Sequence, residues 1–368
     1  MKHRELGNTG FEASVIGLGC AQLGSSNTEY AIKVVRKALE FGVNYYDTAR
    51  GYWDSEIKLG LALKNNREKA FISSKTNGKT REEAWKDLHE SLERLQTDYL
   101  DNYHLHGLRD GEDLEKRLGP DGALEALIEA RDQGLIRHIG CTSHSSSTLI
   151  KALERFDFEV ISVPMNIVER EPLTQLIPHC ISKSVGVTIM KPVATGLLPA
   201  RLALKWLLNQ PISTALPGTT TIEEVEEDAA VGHLDDPKMT LEEEEQVHHL
   251  TKKLENVRCR VCRDCEPCPQ EIEIGLTLGT DVIYGHYRTM GPEVFKFFPW
   301  SPDRINNHFE ERRKRTSAIE SCTECGDCEE RCPYDLPIVK MLKETVEPMK
   351  DIIKIWRELA PFDSALAR

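Results

Sequence analysis

The chain has 368 residues, 60 of them acidic against 47 basic, for a formal net charge of -13, and 40% of it is hydrophobic. That length holds one large domain and one small one. The acidic balance, with no basic stretch interleaved with aromatics, argues against a nucleic-acid partner. No segment approaches the roughly 20 apolar residues of a membrane helix, and MKHRELGNTG lacks the apolar core of a secretory leader. A soluble, cytoplasmic protein with no membrane partner is therefore expected.

Up to about residue 236, short apolar runs alternate with longer amphipathic segments, the pattern of a parallel sheet covered by helices. The predicted strands are 14–18, 44–47, 70–74, 100–105, 138–142, 160–164, 187–190 and 212–216. Helical patterns lie between them, for example over 30–41, 82–95, 124–133 and 200–208. Eight strand-then-helix units favour a closed α/β barrel, the (β/α)8 TIM barrel, over an open doubly wound sheet. GLGCAQLG after the first strand is a poor imitation of a phosphate-binding GxGxxG loop. A domain over 1–236 follows, and a second over 237–368.

The second domain opens on Thr240 and Glu243, a capping-box pair ahead of a charged helix. Next come two cysteine runs: Cys259, Cys262, Cys265, Cys268, followed by Pro269, and Cys322, Cys325, Cys328, Cys332, followed by Pro333. The second has the full CxxCxxCxxxCP spacing of bacterial ferredoxins, and the first has one residue fewer before its last cysteine. Three thiolates at successive CxxC spacings can cap three irons of one cubane, so the runs predict two 4Fe-4S clusters, against a competing reading as structural zinc. In such patterns the fourth cysteine crosses over, which groups Cys259, Cys262 and Cys265 with Cys332, and Cys322, Cys325 and Cys328 with Cys268. Thiolate ligands require a reducing compartment. The aromatics between the runs, Tyr284, Tyr287, Phe295, Phe297, Phe298 and Trp300, are expected to pack a small helical, ferredoxin-like domain, and 310–315 to form a solvated helix face.

Active sites of eight-stranded parallel barrels lie at the C-terminal ends of the strands. Asp47 ends the second strand, with Tyr52 five residues on; Lys75 ends the third and His106 the fourth. Singly, each has a plain structural explanation, as a loop cap, a strand-end charge or a satisfied imidazole. Jointly, at three consecutive strands, they suggest chemistry. A nearby ammonium lowers a tyrosine's pKa by favouring the phenolate, so Lys75 could tune Tyr52, Asp47 could hold Lys75 charged, and His106 could donate to a developing alkoxide. His104 competes with His106, since i and i+2 share a strand face. Cys20 and Cys141, also near strand ends, read as small apolar filler.

These pieces, with RELGNTGFEASVIGLG, YDTARGYWDSE, IGCTS and LPGTTTIEEVEED, resemble the aldo-keto reductase family over roughly residues 1–236. The ferredoxin-like tail places the chain in a fused subset of it. The resemblance implies Tyr52 as proton donor, Lys75 and Asp47 as its electrostatic partners, and His106 as the residue that orients the carbonyl. It also implies a nicotinamide dinucleotide, with Thr142, Ser143 and Asn166 at the carboxamide, Pro217, Gly218, Thr219 and Thr220 near the phosphates, and Glu227 and Asp228 facing the adenine. Two features depart from the family pattern. No lysine or arginine follows Pro217, which favours NAD(H) over NADP(H). The tyrosine that stacks on the nicotinamide is missing from IMKPVATGLL, where Met190 and Lys191 stand. The implied activity is NADH-dependent reduction of a small aldehyde or ketone, or the reverse oxidation of an alcohol. The alternative is an electron-transfer oxidoreductase whose clusters relay single electrons between a ferredoxin or flavoprotein partner and the barrel. A non-catalytic redox-responsive barrel is disfavoured by the intact tetrad.

Overall fold

A computed structural model describes residues 1–255, 259–279 and 302–359. The inter-run aromatics Tyr284 to Trp300 lie outside the described residues. The described chain forms two compact units, Met1–Lys252 and the remainder from Lys253.

The first unit is an eight-stranded parallel barrel preceded by a hairpin. The hairpin pairs β1 (His3–Glu5) with β2 (Glu12–Ser14), antiparallel. The barrel strands follow in chain order as β3 (Leu18–Gly19), β4 (Tyr45–Asp47), β5 (Phe71–Thr76), β6 (Leu100–Leu105), β7 (Ile136–Thr142), β8 (Val160–Pro164), β9 (Gly186–Met190) and β10 (Thr214–Leu216). Neighbours in sequence are neighbours in the sheet. Parallel bridges between Ile16 and Ala215, and between Gly19 and Gly218, bring its two edges together. The first predicted strand, 14–18, thus divides in two: Ser14 ends the hairpin and Leu18 begins the barrel strand.

The helices alternate with the strands: α1 (Thr28–Glu40), α2 (Ser55–Leu63), α3 (Arg81–Leu95), α4 (Glu112–Leu118), α5 (Ala123–Asp132), α6 (Ser146–Arg155), α7 (Leu176–Ser182), α8 (Ala200–Leu208), α9 (Ile222–Gly232) and α10 (Leu241–Leu254). Local chemistry sets where several begin. Asn27 caps α1 through the Tyr30 amide, while Thr80 with Glu83 and Thr221 with Glu224 form complete capping boxes on α3 and α9. The hairpin packs Leu6, Phe11 and Ala13 against Tyr45, Phe71 and Val160, the first residues of their strands, so apolar side chains fill that end. The other end, where active sites of this fold lie, is left to loops.

The boundary expected at 236 precedes α10, yet α10 packs on the first unit. Lys205 of α8 grips Glu243 at 2.6 Å, and the Thr251 hydroxyl donates to the Ile167 carbonyl at 2.9 Å. The capping box predicted at Thr240 and Glu243 is present.

The second unit contains the helices Ile274–Leu278, Pro302–Ala318, Asp327–Glu330 and Ile338–Leu359. Its core joins Ile272, Ile274, Leu278, Ile319, Leu336, Ile338 and Leu342 to two cysteines, Cys265 and Cys332. The 310–315 run lies on Pro302–Ala318 as expected, mostly exposed. Among the described residues, no helix is long and apolar enough to cross a membrane.

Candidate active site and cluster region

Lys75 lies on β5 with its Nζ donating at 2.6 Å both to Asp47 Oδ1 and to the Thr48 carbonyl. The lysine is 2% exposed, so this ammonium is held by β4 rather than by water. Tyr52 follows on the turn into α2, and Lys75 Nζ lies 4.9 Å from its ring centroid. His106, just past β6, meets Tyr52 edge-on, ring centroids 5.6 Å apart at 83°. The four predicted residues therefore converge at the C-terminal ends of β4, β5 and β6, Lys75 and Asp47 buried, Tyr52 and His106 partly exposed.

The electrostatics order themselves around that pair. Burial alone would lower the Lys75 pKa, but Asp47 and Tyr52 together outweigh it and hold the ammonium above its usual range. For Tyr52 the balance runs against the simple expectation: burial pushes the phenol up by more than Lys75 pulls it down, and Asp47 adds to the rise. The Tyr52 phenol thus keeps its proton at neutral pH. His106 is pushed down to about 3 by burial, then by Lys75 and Arg117, which makes it a neutral imidazole.

His104 and His106 separate cleanly. His104 is fully buried, and its Nε2 meets the Asn102 amide at 2.7 Å. Space for that ring comes from Gly140 on β7, where an added Cβ would lie 2.3 Å from His104 Nδ1. His104 belongs to the barrel interior and His106 to the rim. Cys20 and Cys141 are both fully buried, as expected of apolar filler.

Supporting contacts that the sequence reading missed surround Tyr52 and His106. Lys58, buried on α2, donates to the carbonyls of Leu23, Gly24 and Ser26 at 3.0, 2.7 and 2.7 Å and so pins the turn after β3. That turn touches Tyr52, since a Cβ on Gly24 would stand 2.2 Å from the Tyr52 carbonyl oxygen. Arg94 of α3 pairs with buried Glu56 and bonds the Trp53 carbonyl. Arg117 of α4 bonds the carbonyls of His106 and Thr76. Its only sequence signal is its place three residues after buried Leu114, on the same helix face.

The expected dinucleotide residues are ordered but turned largely to local bonds. The Thr142 hydroxyl accepts from the Gly107 amide at 2.7 Å, and the Ser143 hydroxyl donates to the Leu108 carbonyl at 2.7 Å. Asn166 Oδ1 accepts from the Val168 and Glu169 amides, and its Nδ2 donates to the Lys191 carbonyl at 3.3 Å. At α9 the Glu224 carboxylate accepts from the Thr220 and Thr221 amides at 2.7 and 3.0 Å and from the Thr220 hydroxyl at 2.9 Å. An acidic group of the chain's own thus fills this anion-binding helix start. Thr219 is buried and bonds Asp228 at 3.3 Å, and burial raises Asp228 to about 7, with Glu224 and Glu227 adding to it. Gly218 lies under the Gln22 side chain, and Pro217 accepts from the Gly19 amide.

In the second unit, Cys268 of the first run lines one cavity together with Cys322, Cys325 and Cys328 of the second. Burial raises the Cys262 and Cys265 thiols to about 12, and both Cys259 and Cys332 stand close enough to add to the rise. The fourth cysteine of each run therefore lies beside the other run's first three, and this donor set suits iron-sulfur clusters. Among the described residues, no three His, Cys, Asp or Glu side chains form a group that could hold a single metal ion. The loops also match. Val261 and Glu324, each two residues past the first cysteine of its run, have φ of 59° and 57°; Arg263 and Gly326, each one past the second, have φ of 68° and 84°. Of the eight thiols, Cys325 is the one classed as exposed.

The family model for the aldo/keto reductase family matches residues 15–201, and the model for a 4Fe-4S dicluster domain matches 258–337. This chain belongs to the aldo/keto reductase family. It is 30% identical to L-galactose dehydrogenase of Arabidopsis thaliana over 307 residues, covering 69% of this chain and 95% of that protein. A solved aldo-keto reductase of Bacillus halodurans, in its holo form, superposes with a TM-score of 0.60 at 26% identity, over 68% of this chain and 96% of that one. An aldo/keto reductase of Klebsiella pneumoniae, solved with NADP and acetate, shares the fold with a TM-score of 0.58 at 24% identity, over 68% of this chain and 96% of that one. An aldo/keto reductase barrel with a 4Fe-4S dicluster domain is an oxidoreductase.

Proposed function

We propose that the barrel reduces a small aldehyde or ketone with NADH, Tyr52 giving the proton to the carbonyl oxygen and His106 donating a hydrogen bond to it. The buried Lys75–Asp47 pair beside Tyr52 is the observation that carries this reading. A bound nicotinamide would supply the hydride. As Tyr52 loses its proton, the Lys75 ammonium faces the phenolate at short range, and Asp47 keeps Lys75 charged and aimed. His106, neutral, offers an N–H without competing as an acid. Ser143 and Asn166 would hold the carboxamide, and Gly218 and Thr219 would approach the phosphates. NADH is favoured because no lysine or arginine follows Pro217 to pair with a ribose 2′-phosphate. Replacing Tyr52 by Phe should cut carbonyl reduction by about 10²–10⁴-fold while NADH binding, read by fluorescence, stays intact. Retained turnover would sink the assignment.

A second reading has its own observation. Cys325 is exposed beside a cavity shared with Cys268, Cys322 and Cys328, an arrangement that suits single-electron exchange with a ferredoxin or flavoprotein. Anaerobic titration of the iron-loaded protein with NADH, then dithionite, separates the two. Bleaching of the cluster absorbance by NADH would favour the relay; bleaching by dithionite alone would favour a carbonyl reductase with electronically separate clusters.

A further inference from the structure

Arg117 is 3% exposed, and the nearest carboxylate oxygen, from Asp113, lies 3.9 Å away. Its Nε has no hydrogen-bond partner. A guanidinium buried on those terms is a poor stabiliser, because desolvation offsets what one distant carboxylate returns. What it does make is specific. Nη1 donates to the His106 carbonyl at 2.8 Å and Nη2 to the Thr76 carbonyl at 3.0 Å. Thr76 also accepts the His106 amide at 3.0 Å, and the next amide, Gly107, donates to Thr142 at 2.7 Å. The backbone at His106 is therefore held by β5 on its amide, by Arg117 on its carbonyl and by β7 one residue on. A rigid planar fork can span two carbonyls at once, whereas an ammonium on a flexible stem cannot reproduce that geometry.

We propose that Arg117 is a positioning residue for carbonyl reduction: its fork across the Thr76 and His106 carbonyls fixes where His106 presents its ring to the substrate oxygen. The proposal rests on the reductase reading above. Charge supports it. The titratable and charged groups around His106 are Lys75 from β5, Tyr52 from the turn before α2, His104 along β6 and Arg117 from α4, the last faced by Asp113, Cys141 of β7, Arg109 and Asp87. Burial first, then Lys75 and Arg117, disfavour a proton on His106, which leaves it an N–H donor rather than a cation.

The test uses Arg117→Lys and Arg117→Met in the full, iron-loaded chain. Arg117→Lys should lower kcat by about a hundredfold, the scale of a small misplacement at a reacting centre, with NADH affinity unchanged. Its retained charge should leave His106 un-ionised at neutral pH, read by histidine NMR with His106→Gln for assignment. Arg117→Met should lower kcat similarly and move the His106 titration upward. Folded variants with wild-type kcat, or a His106 titration unmoved in Arg117→Met, would overturn the proposal. Where Arg117→Met does not fold, Arg117→Lys decides alone through kcat. If the wild type shows no Tyr52-dependent turnover, the reductase reading falls, and the ring titration still tests the hold of Arg117 on His106.

Discussion

Tyr52 illustrates how one residue can be legible in kind and illegible in degree. Its spacing from Asp47 and its company with Lys75 are written in the chain, but the sign of its pKa shift depends on burial, which spacing does not encode. Because the phenol lies above its ordinary value near 10, carbonyl reduction should hold steady through neutral pH and fade only in strong alkali, while alcohol oxidation should rise with pH. Initial rates in both directions from pH 6 to 11 check this. Asp228 makes a stability prediction. Its folded-state pKa of about 7 exceeds its ordinary value of 3.8, so the folded state is favoured below that lower value and loses stability as pH rises toward 7. Asp228→Asn should therefore stabilise the protein at pH 8, on the order of 2–4 kcal/mol, and flatten the pH dependence between the two values. Thermal melts at pH 5 and pH 8 provide the measurement.

At the level of elements, strand-then-helix alternation and the capping box at Thr240 and Glu243 were readable because each is a local rule. The hairpin β1–β2 was not, since HRE and EAS carry no run of alternating apolar residues and pair only by closing across the end of the barrel. Nor was the way the turn after β3 supports Tyr52, which depends on Lys58 reaching it from α2. That contact has a consequence. With Lys58 pinning the turn and no room at Gly24, Gly24→Ala must push the Tyr52 carbonyl aside. Turnover should fall by at least tenfold with NADH affinity little changed; steady-state kinetics on the folded variant would show it.

For the whole molecule, Asp47, Tyr52, Lys75 and His106 lie in one unit and all eight run cysteines in the other. The crossed pairing makes the cysteines unequal in a testable way. Cys332→Ser should cost the cluster of Cys259, Cys262 and Cys265, and Cys268→Ser that of Cys322, Cys325 and Cys328. Iron content and EPR of each variant would distinguish this from ligation within one run. The matched loops of the two runs carry a further consequence. At the place where the second run has Gly326, the first has Arg263, and it also asks β-branched Val261 to adopt a left-handed conformation, which costs of order 1–3 kcal/mol per residue. The second run can thus take its metal-binding shape at lower cost than the first. Maturation should accordingly be sequential, the first iron going to Cys322, Cys325 and Cys328 with Cys268 completing that site, and a half-loaded intermediate should accumulate whenever iron or sulfide is scarce.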